Sequence, residues 1–200
     1  AGDRPGRLVF DACAAPGGKT SALGGAVRGE GLVIASDVRD RRMALLRQTL
    51  QSTGAANVRL VQADILSTLP FRRQFDTVIV DAPCSGLGTL RRDPDIRWRR
   101  EETDLPVLAA AQRLMLRHAA AVVAPGGRLI YATCSSEPEE NEHVAGTFAK
   151  DVQNFRAVDA RTVHAQLPSE TIDASGHFRT EPDRHGLECF FGAVFENASR

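Results

Sequence analysis

Cys84 and Cys134 are the residues with the most chemistry to offer. Each follows a run that reads as a β-strand. Thr77-Val78-Ile79-Val80 leads into Asp81-Ala82-Pro83-Cys84-Ser85-Gly86, and Arg128-Leu129-Ile130-Tyr131 leads into Ala132-Thr133-Cys134-Ser135. In an open α/β sheet, ligands bind beyond the carboxyl ends of the strands, so both thiols are delivered to the working edge. A lone free cysteine is most often a small buried residue. Two of them in turn compositions at strand ends point instead to nucleophilic catalysis, which splits one difficult step into two easier ones. Asp81 is the acid beside them. Cys189 has no partner motif and is assigned to the core.

A second motif supplies a ligand site. Cys13-Ala14-Ala15-Pro16-Gly17-Gly18-Lys19-Thr20 follows a strand and opens a helix. Glycine lets a backbone approach a ligand closely, and a helix N-terminus favours negative charge. Cys13 is expected to contribute its backbone only. A nucleoside triphosphate loop of the form G-x-x-x-x-G-K-[ST] would need glycine where Cys13 stands, and the dinucleotide pattern G-x-G-x-x-G is absent. Asp11, Asp37, Asp64 and Asp81 end four successive apolar runs. An acid at the position of Asp37 can take both ribose hydroxyls of a nucleoside, and Asp64 is placed for an adenine amine. This spacing favours S-adenosylmethionine.

With a sulfonium methyl donor, the thiols acquire a specific task. The C5 of cytosine is a poor nucleophile, and a thiolate adding at C6 turns the ring into an enamine whose C5 can attack a methyl group. Asp81 would stabilise charge at N3, and a second cysteine could assist release.

Apolar runs alternating with helical patterns must position these groups, which is the pattern of a parallel sheet. Strands are expected at 8–11, 32–37, 58–64, 75–80 and 128–133, with a late antiparallel strand at 188–196. Helices are expected at about 19–27, 41–53 and 105–123, the last with Leu108, Leu114, Met115, Ala119 and Val122 toward the core. Ser136-Glu137-Pro138-Glu139 fits a capping box opening a helix that runs to about Asp151. The stretch 87–100 reads as a long basic loop, 160–187 as irregular, and the first six residues as a loop.

The composition is that of one folded domain: 200 residues, 42% apolar, 25% charged, with formal net charge zero. No global basic field is available to capture nucleic acid. The four cysteines form no C-x-x-C pair, so no metal site is expected. No signal peptide is evident, and a reducing cytoplasm is favoured. No apolar run approaches the roughly 20 residues needed to cross a bilayer.

The motifs, taken in order, resemble the Sun/Fmu-type RNA (cytosine-5)-methyltransferase family, bacterial relatives of the nucleolar NSUN enzymes. The matching segments are Asp11 to Thr20, Asp81 to Gly88, Arg92-Asp93-Pro94-Asp95-Ile96-Arg97-Trp98, and Tyr131 to Ser135 followed by Glu137-Pro138-Glu139-Glu140-Asn141-Glu142. The resemblance implies a Rossmann-like class I S-adenosylmethionine-dependent methyltransferase, α/β, with a mostly parallel seven-stranded sheet and helices on both faces. It implies Cys134 as nucleophile, Cys84 in product release, and Asp81 with Lys19 at the base. It also implies that Cys13, Ala14, Ala15, Pro16, Gly17, Gly18, Lys19, Asp37, Arg42, Asp64 and Asp81 hold the cofactor. RNA, most readily ribosomal RNA, would be the substrate. Residues 1–200 would be the catalytic domain, excised from a longer protein whose N-terminal RNA-binding region is absent from this chain. Where the family has Asp-Gly-Phe-Phe, this chain has Glu188-Cys189-Phe190-Phe191.

Arg91, Arg92, Arg97 and Arg99 surround Trp98, and Arg100 follows. Arginine neutralises phosphate and tryptophan stacks on bases, so this loop is the candidate RNA contact. Two other readings stay open: a catalytically silent RNA-binding module and a P-loop-type NTPase.

Overall fold

The computed structural model describes residues 7–27, 31–72, 74–163 and 166–199. The loop expected over residues 1–6 lies outside them. In chain order the elements are β1 (Leu8–Asp11), α1 (Gly18–Ala26), β2 (Leu32–Asp37), α2 (Asp40–Thr53), β3 (Val58–Gln62) and β4 (Phe75–Asp81). There follow α3 (Ile96–Arg99), α4 (Asp104–Ala120), β5 (Val123–Thr133), α5 (Glu142–Asp151), β6 (Phe155–Val158), β7 (Phe178–Thr180), α6 (Pro182–His185) and β8 (Phe190–Asn197). The strand order is β3-β2-β1-β4-β5-β8-β6, with β7 also paired to β8. The first five strands are mutually parallel, and β8 runs antiparallel to its neighbours.

The order reverses between β1 and β4, and this creates the site. Met43, Leu46 and Leu50 of α2 pack with Val9, Val33 and Ala35 on one face of the sheet. Ala109, Met115 and Leu116 of α4 and Val144 and Phe148 of α5 pack with Phe10, Val78 and Leu129 on the other. The chain therefore leaves β1 toward one face and β4 toward the other, and a crevice opens between the two departing loops. The central strands are apolar and β-branched because both of their faces are covered.

Among the described residues the sheet has eight strands, one more than the expected seven and two more than the six located from the pattern. The added pieces, β6 and β7, are short, antiparallel and confined to the β8 edge, within stretches whose patterning is too brief to register as strand. Strand β5 starts at Val123, and Pro125-Gly126-Gly127 forms an irregularity within it, with the register shifting between Phe75 and Thr77 on β4. In α4, Leu114 is exposed and Leu116 is buried. Leu105, Ala109, Gln112, Leu116 and Ala119 form one stripe at helical spacing, and Leu114 falls off it. Among the described residues no helix is long and apolar enough to cross a membrane.

Candidate active site

The turn after β1 is fixed by backbone geometry. Gly17 has φ +110°, and a Cβ there would lie 2.9 Å from Leu46 Cδ1, so this position requires glycine for both conformation and space. A Cβ on the neighbouring Gly18 would meet nothing within 4 Å, which leaves that side of the turn open to a ligand. The loop is tied to β2: Ala14 N donates to Ser36 O at 2.9 Å, and Ala15 N donates to Asp37 Oδ2 at 3.3 Å. Arg42 reaches back from α2, donating through Nε to Asp37 Oδ2 at 2.9 Å and through a terminal nitrogen to Ala15 O at 2.7 Å.

Two adjoining recesses meet at this loop and share Cys13, Ala15, Lys19, Asp81 and Arg92. The smaller, about 250 Å³, is bounded by Asp11 and Pro16. The larger, about 680 Å³, extends past Cys84 and Cys134 to Ile96 and Phe190. Together they offer a cofactor recess opening onto a substrate recess.

Three acids stand at this turn, Asp11, Asp37 and Asp81, the last two paired with Arg42 and Lys19. Asp11 is buried and accepts a hydrogen bond from Thr20 Oγ1 at 2.7 Å. Burial raises its carboxyl to about 6 against the opposing effect of that bond. Cys13 reports the same field: its thiol is pushed up to about 12, first by burial and then by the carboxylates of Asp37, Asp11 and Asp81. At Cys13 the carboxylates outweigh Arg42, so this point suits a positive centre such as a sulfonium. Cys13 lines both recesses. Neither Asp37 nor Asp64 lines these two recesses: Asp37 is buried behind the loop, accepting from Ala15 N, Val38 N and Arg42 Nε, and Asp64 is exposed, its Oδ1 accepting from Leu66 N at 2.9 Å.

The thiols come together because β4 and β5 pair in register, Asp81 opposite Ala132. Their Sγ atoms are 3.4 Å apart. The loop after Cys84 is stitched to the Cys134 loop and the β8 approach: Gly88 N donates to Cys134 O at 3.1 Å, and Cys189 N donates to Gly88 O at 2.9 Å. A Cβ on Gly88 would lie 2.6 Å from Cys189 O and 2.8 Å from Cys134 O, so glycine is required for this close approach. Cys189, assigned from sequence to the core, is only half-buried; its backbone secures the loop.

The two thiols titrate in opposite directions. Cys134 is lowered to about 7, chiefly because Cys84 donates a hydrogen bond to its sulfur, with burial opposing. Cys84, the donor, is raised well above the ordinary thiol range by that same bond and by burial. At this separation either sulfur could donate to the other; with Cys84 as the donor, Cys134 is the thiol that ionises first. Lys19 Nζ sits 2.5 Å from Asp81 Oδ2, which places a cation and a carboxylate at the rim of the thiol recess.

The capping box at Ser136 is not formed. Ser136 Oγ bonds Glu137 Oε1 instead, and α5 begins only at Glu142. The intervening turns are held because Glu140 and Asn141 are completely buried and turned toward the cysteine loops. Sequence reasoning missed Glu140: its run of acids reads as a helix start, and only its placement beside Ser85 and Ser135 could have singled it out.

The arginine loop is divided. Trp98 is 77% exposed, with the Arg97 guanidinium 4.8 Å from its ring centroid. Arg92 lines the recess and Arg91 is exposed. Arg99 is committed to a bidentate pair with Asp93 at 2.9 and 3.0 Å. Arg100 donates through Nε to Ser85 O at 3.1 Å, a structural contact.

Comparison with known proteins agrees with this arrangement. The model of the family described as 16S rRNA methyltransferase RsmB/F matches residues 3–196. The probable ribosomal RNA small subunit methyltransferase B of Synechocystis sp. is 32% identical over 98% of this chain and 44% of its own length. Ribosomal RNA small subunit methyltransferase B of Pasteurella multocida is 34% identical over 94% of this chain and 42% of its own length. The chain thus spans less than half the length of these relatives. The crystal structure of NSun6 from Pyrococcus horikoshii with SFG superposes with a TM-score of 0.85 at 25% identity, covering 97% of this chain and 48% of that one.

Proposed function

The chain belongs to the 16S rRNA methyltransferase RsmB/F family, and from that premise we propose that it transfers a methyl group from S-adenosylmethionine to C5 of a cytosine in ribosomal RNA, through a covalent bond between Cys134 and C6. The observation that carries this reading is the thiol pair: Cys134 and Cys84 stand 3.4 Å apart, with the first lowered to about 7 by the second.

S-adenosylmethionine fits the residues present, because its positive charge suits the acids around the Gly17–Gly18 turn. Asp37 would take the ribose hydroxyls, Asp11 and the Cys13–Lys19 loop would surround the methionine portion, and Asp64 would reach the adenine. When bound, the cofactor supplies an electrophilic methyl on sulfur. The chain's own groups do the rest. The Cys134 thiolate forms a bond to C6, and the ring's electron pair moves to C5, which becomes the nucleophile. Asp81, with Lys19 beside it, would hold the N3 edge, where a proton is taken up from water as sulfur bonds C6 and returned to water when that bond breaks. After C5 is alkylated, water takes its remaining proton, the C5–H pair re-forms the C5=C6 double bond, and the C6–S pair returns to the Cys134 sulfur. Cys84 stabilises that departing thiolate, and a lower thiol pKa makes a better leaving group.

Residues 1–200 act as the catalytic domain alongside an RNA-binding region belonging to the longer protein, in a reducing compartment where both thiols stay free. Digesting RNA methylated by the protein to nucleosides tests the assignment. The expected product is 5-methylcytidine, and label recovered in any other nucleoside contradicts it.

Arg97 and Trp98 would hold the RNA. Arg97→Glu combined with Trp98→Ala is expected to weaken RNA binding by at least about tenfold, since one stacked base is worth roughly 1–3 kcal/mol. Binding of S-adenosylmethionine should be unchanged, and equal loss of both in a filter-binding and calorimetric comparison would argue against the assignment. Arg99→Glu has a mixed effect, because it also breaks the pair with Asp93.

A further inference from the structure

We infer that Glu140 is a positioning residue that holds the two cysteine loops in register, and that the hydrogen bond between the thiols depends on it. The inference rests on the reading of Cys134 as the nucleophile and deepens it. Glu140 is completely buried, yet its carboxylate takes donors from both cysteine loops. Its Oε1 accepts from Ser85 N at 2.9 Å and from Gln112 Nε2 at 2.9 Å. Its Oε2 accepts from Ser85 Oγ at 2.5 Å and Ser135 Oγ at 2.6 Å. Ser85 and Ser135 are the residues immediately following Cys84 and Cys134. One carboxylate therefore holds both loops one residue beyond each thiol.

The surroundings fix the carboxylate in turn. Gln112 also donates to Pro83 O at 3.0 Å, gripping the first loop on the other side of Cys84. Tyr131 OH donates to Glu140 O at 2.6 Å, and Asn141 Nδ2 donates to Ser135 O at 2.9 Å. A buried carboxylate is costly unless its oxygens are fully hydrogen-bonded, so the site tolerates this one only in the arrangement that draws the two loops together. A shift of an ångström would break the contact between the sulfurs.

The test reads the Cys134 thiolate directly. Iodoacetamide alkylation at Cys134 is followed against pH by peptide mass spectrometry, in folded protein, without RNA. The groups facing this sulfur are Cys84, Asp81 and Lys19, with Arg92 and Asp93 in the same recess. In wild type the midpoint is expected at about 7. In Glu140→Ala it should rise toward about 8.5, the ordinary thiol value, because Cys84 no longer donates. Ser85→Ala with Ser135→Ala should do the same. This double variant keeps the Ser85 N and Gln112 bonds to Glu140, so it carries the test if Glu140→Ala does not fold. Glu140→Gln should stay near wild type: its amide oxygen can accept from Ser85 N and Gln112, and its N–H₂ can donate to the rotatable hydroxyls.

The sign separates this role from two others. If Glu140 acted only by charge, removing it would favour the thiolate and lower the midpoint in both Glu140→Ala and Glu140→Gln. If it were only structural, melting temperatures would fall while the midpoint stayed fixed. A lowered or unchanged midpoint in the double serine variant overturns the inference. A raised midpoint in a protein whose methyl transfer survives Cys134→Ala would uphold the clamp and reject Cys134 as the nucleophile.

Discussion

Cys134→Ala is expected to lower methyl transfer to RNA by at least about 10³-fold, or roughly 4 kcal/mol on the barrier, while the protein stays folded and binds S-adenosylmethionine as before. The reasoning is chemical. Without sulfur at C6, C5 of the ring has no enamine character, and positioning alone must drive the attack. Cys134 is half-buried at a loop beyond β5, so its truncation removes little packing. The check is a single-turnover rate alongside calorimetric cofactor binding. A variant retaining more than a tenth of the wild-type rate contradicts the assignment.

The pH profile follows from the same thiol. With Cys134 at about 7, the reactive thiolate is scarce below that value and accumulates above it. The acid limb of the rate should therefore rise through about 7. In Cys84→Ala the donor is gone, so the limb moves to higher pH.

Cys84→Ala should also change which species accumulates. Release requires the C6–S bond to break, and the Cys84 hydrogen bond lowers the pKa of the departing thiol, which speeds departure. Removing it leaves bond formation possible, given enough thiolate, but slows bond breakage. A covalent protein–RNA species is expected to build up and to survive denaturing electrophoresis. It should be most abundant above neutral pH, where the shifted Cys134 is ionised. Turnover without any trapped species would assign Cys84 a different role.

Much of this site is legible in the residues because it sits on strands buried on both faces. β1, β2 and β4 are short apolar runs ended by Asp, the apolar end of β5 closes on Thr133 and Cys134, and a parallel sheet requires their following loops to share one edge. That reasoning places Asp11, Asp37, Asp81, Cys84 and Cys134 together, and the pairing of Asp81 with Ala132 brings the thiols side by side. What sequence could not supply came from tertiary competition. Leu114 is apolar but lies off the stripe that α4 turns inward. Ser136-Glu137-Pro138-Glu139 has helix-start chemistry, but burial of Glu140 and Asn141 delays the helix to Glu142. Glu140 looks like a surface acid until the fold encloses it between two serines. The β8 edge, with β6 and β7 attached, consists of pieces only four and three residues long, whose pairing depends on β8 rather than on their own pattern.

The most direct test of the account is to incubate Cys84→Ala with ribosomal RNA and S-adenosylmethionine, isolate the denaturation-resistant species, and locate the attached nucleotide by peptide mass spectrometry. The account predicts a methylated cytidine adduct on the peptide containing Cys134, absent when Cys134→Ala is added. A nucleotide attached at any other residue, or full turnover by the doubly substituted protein, would contradict it.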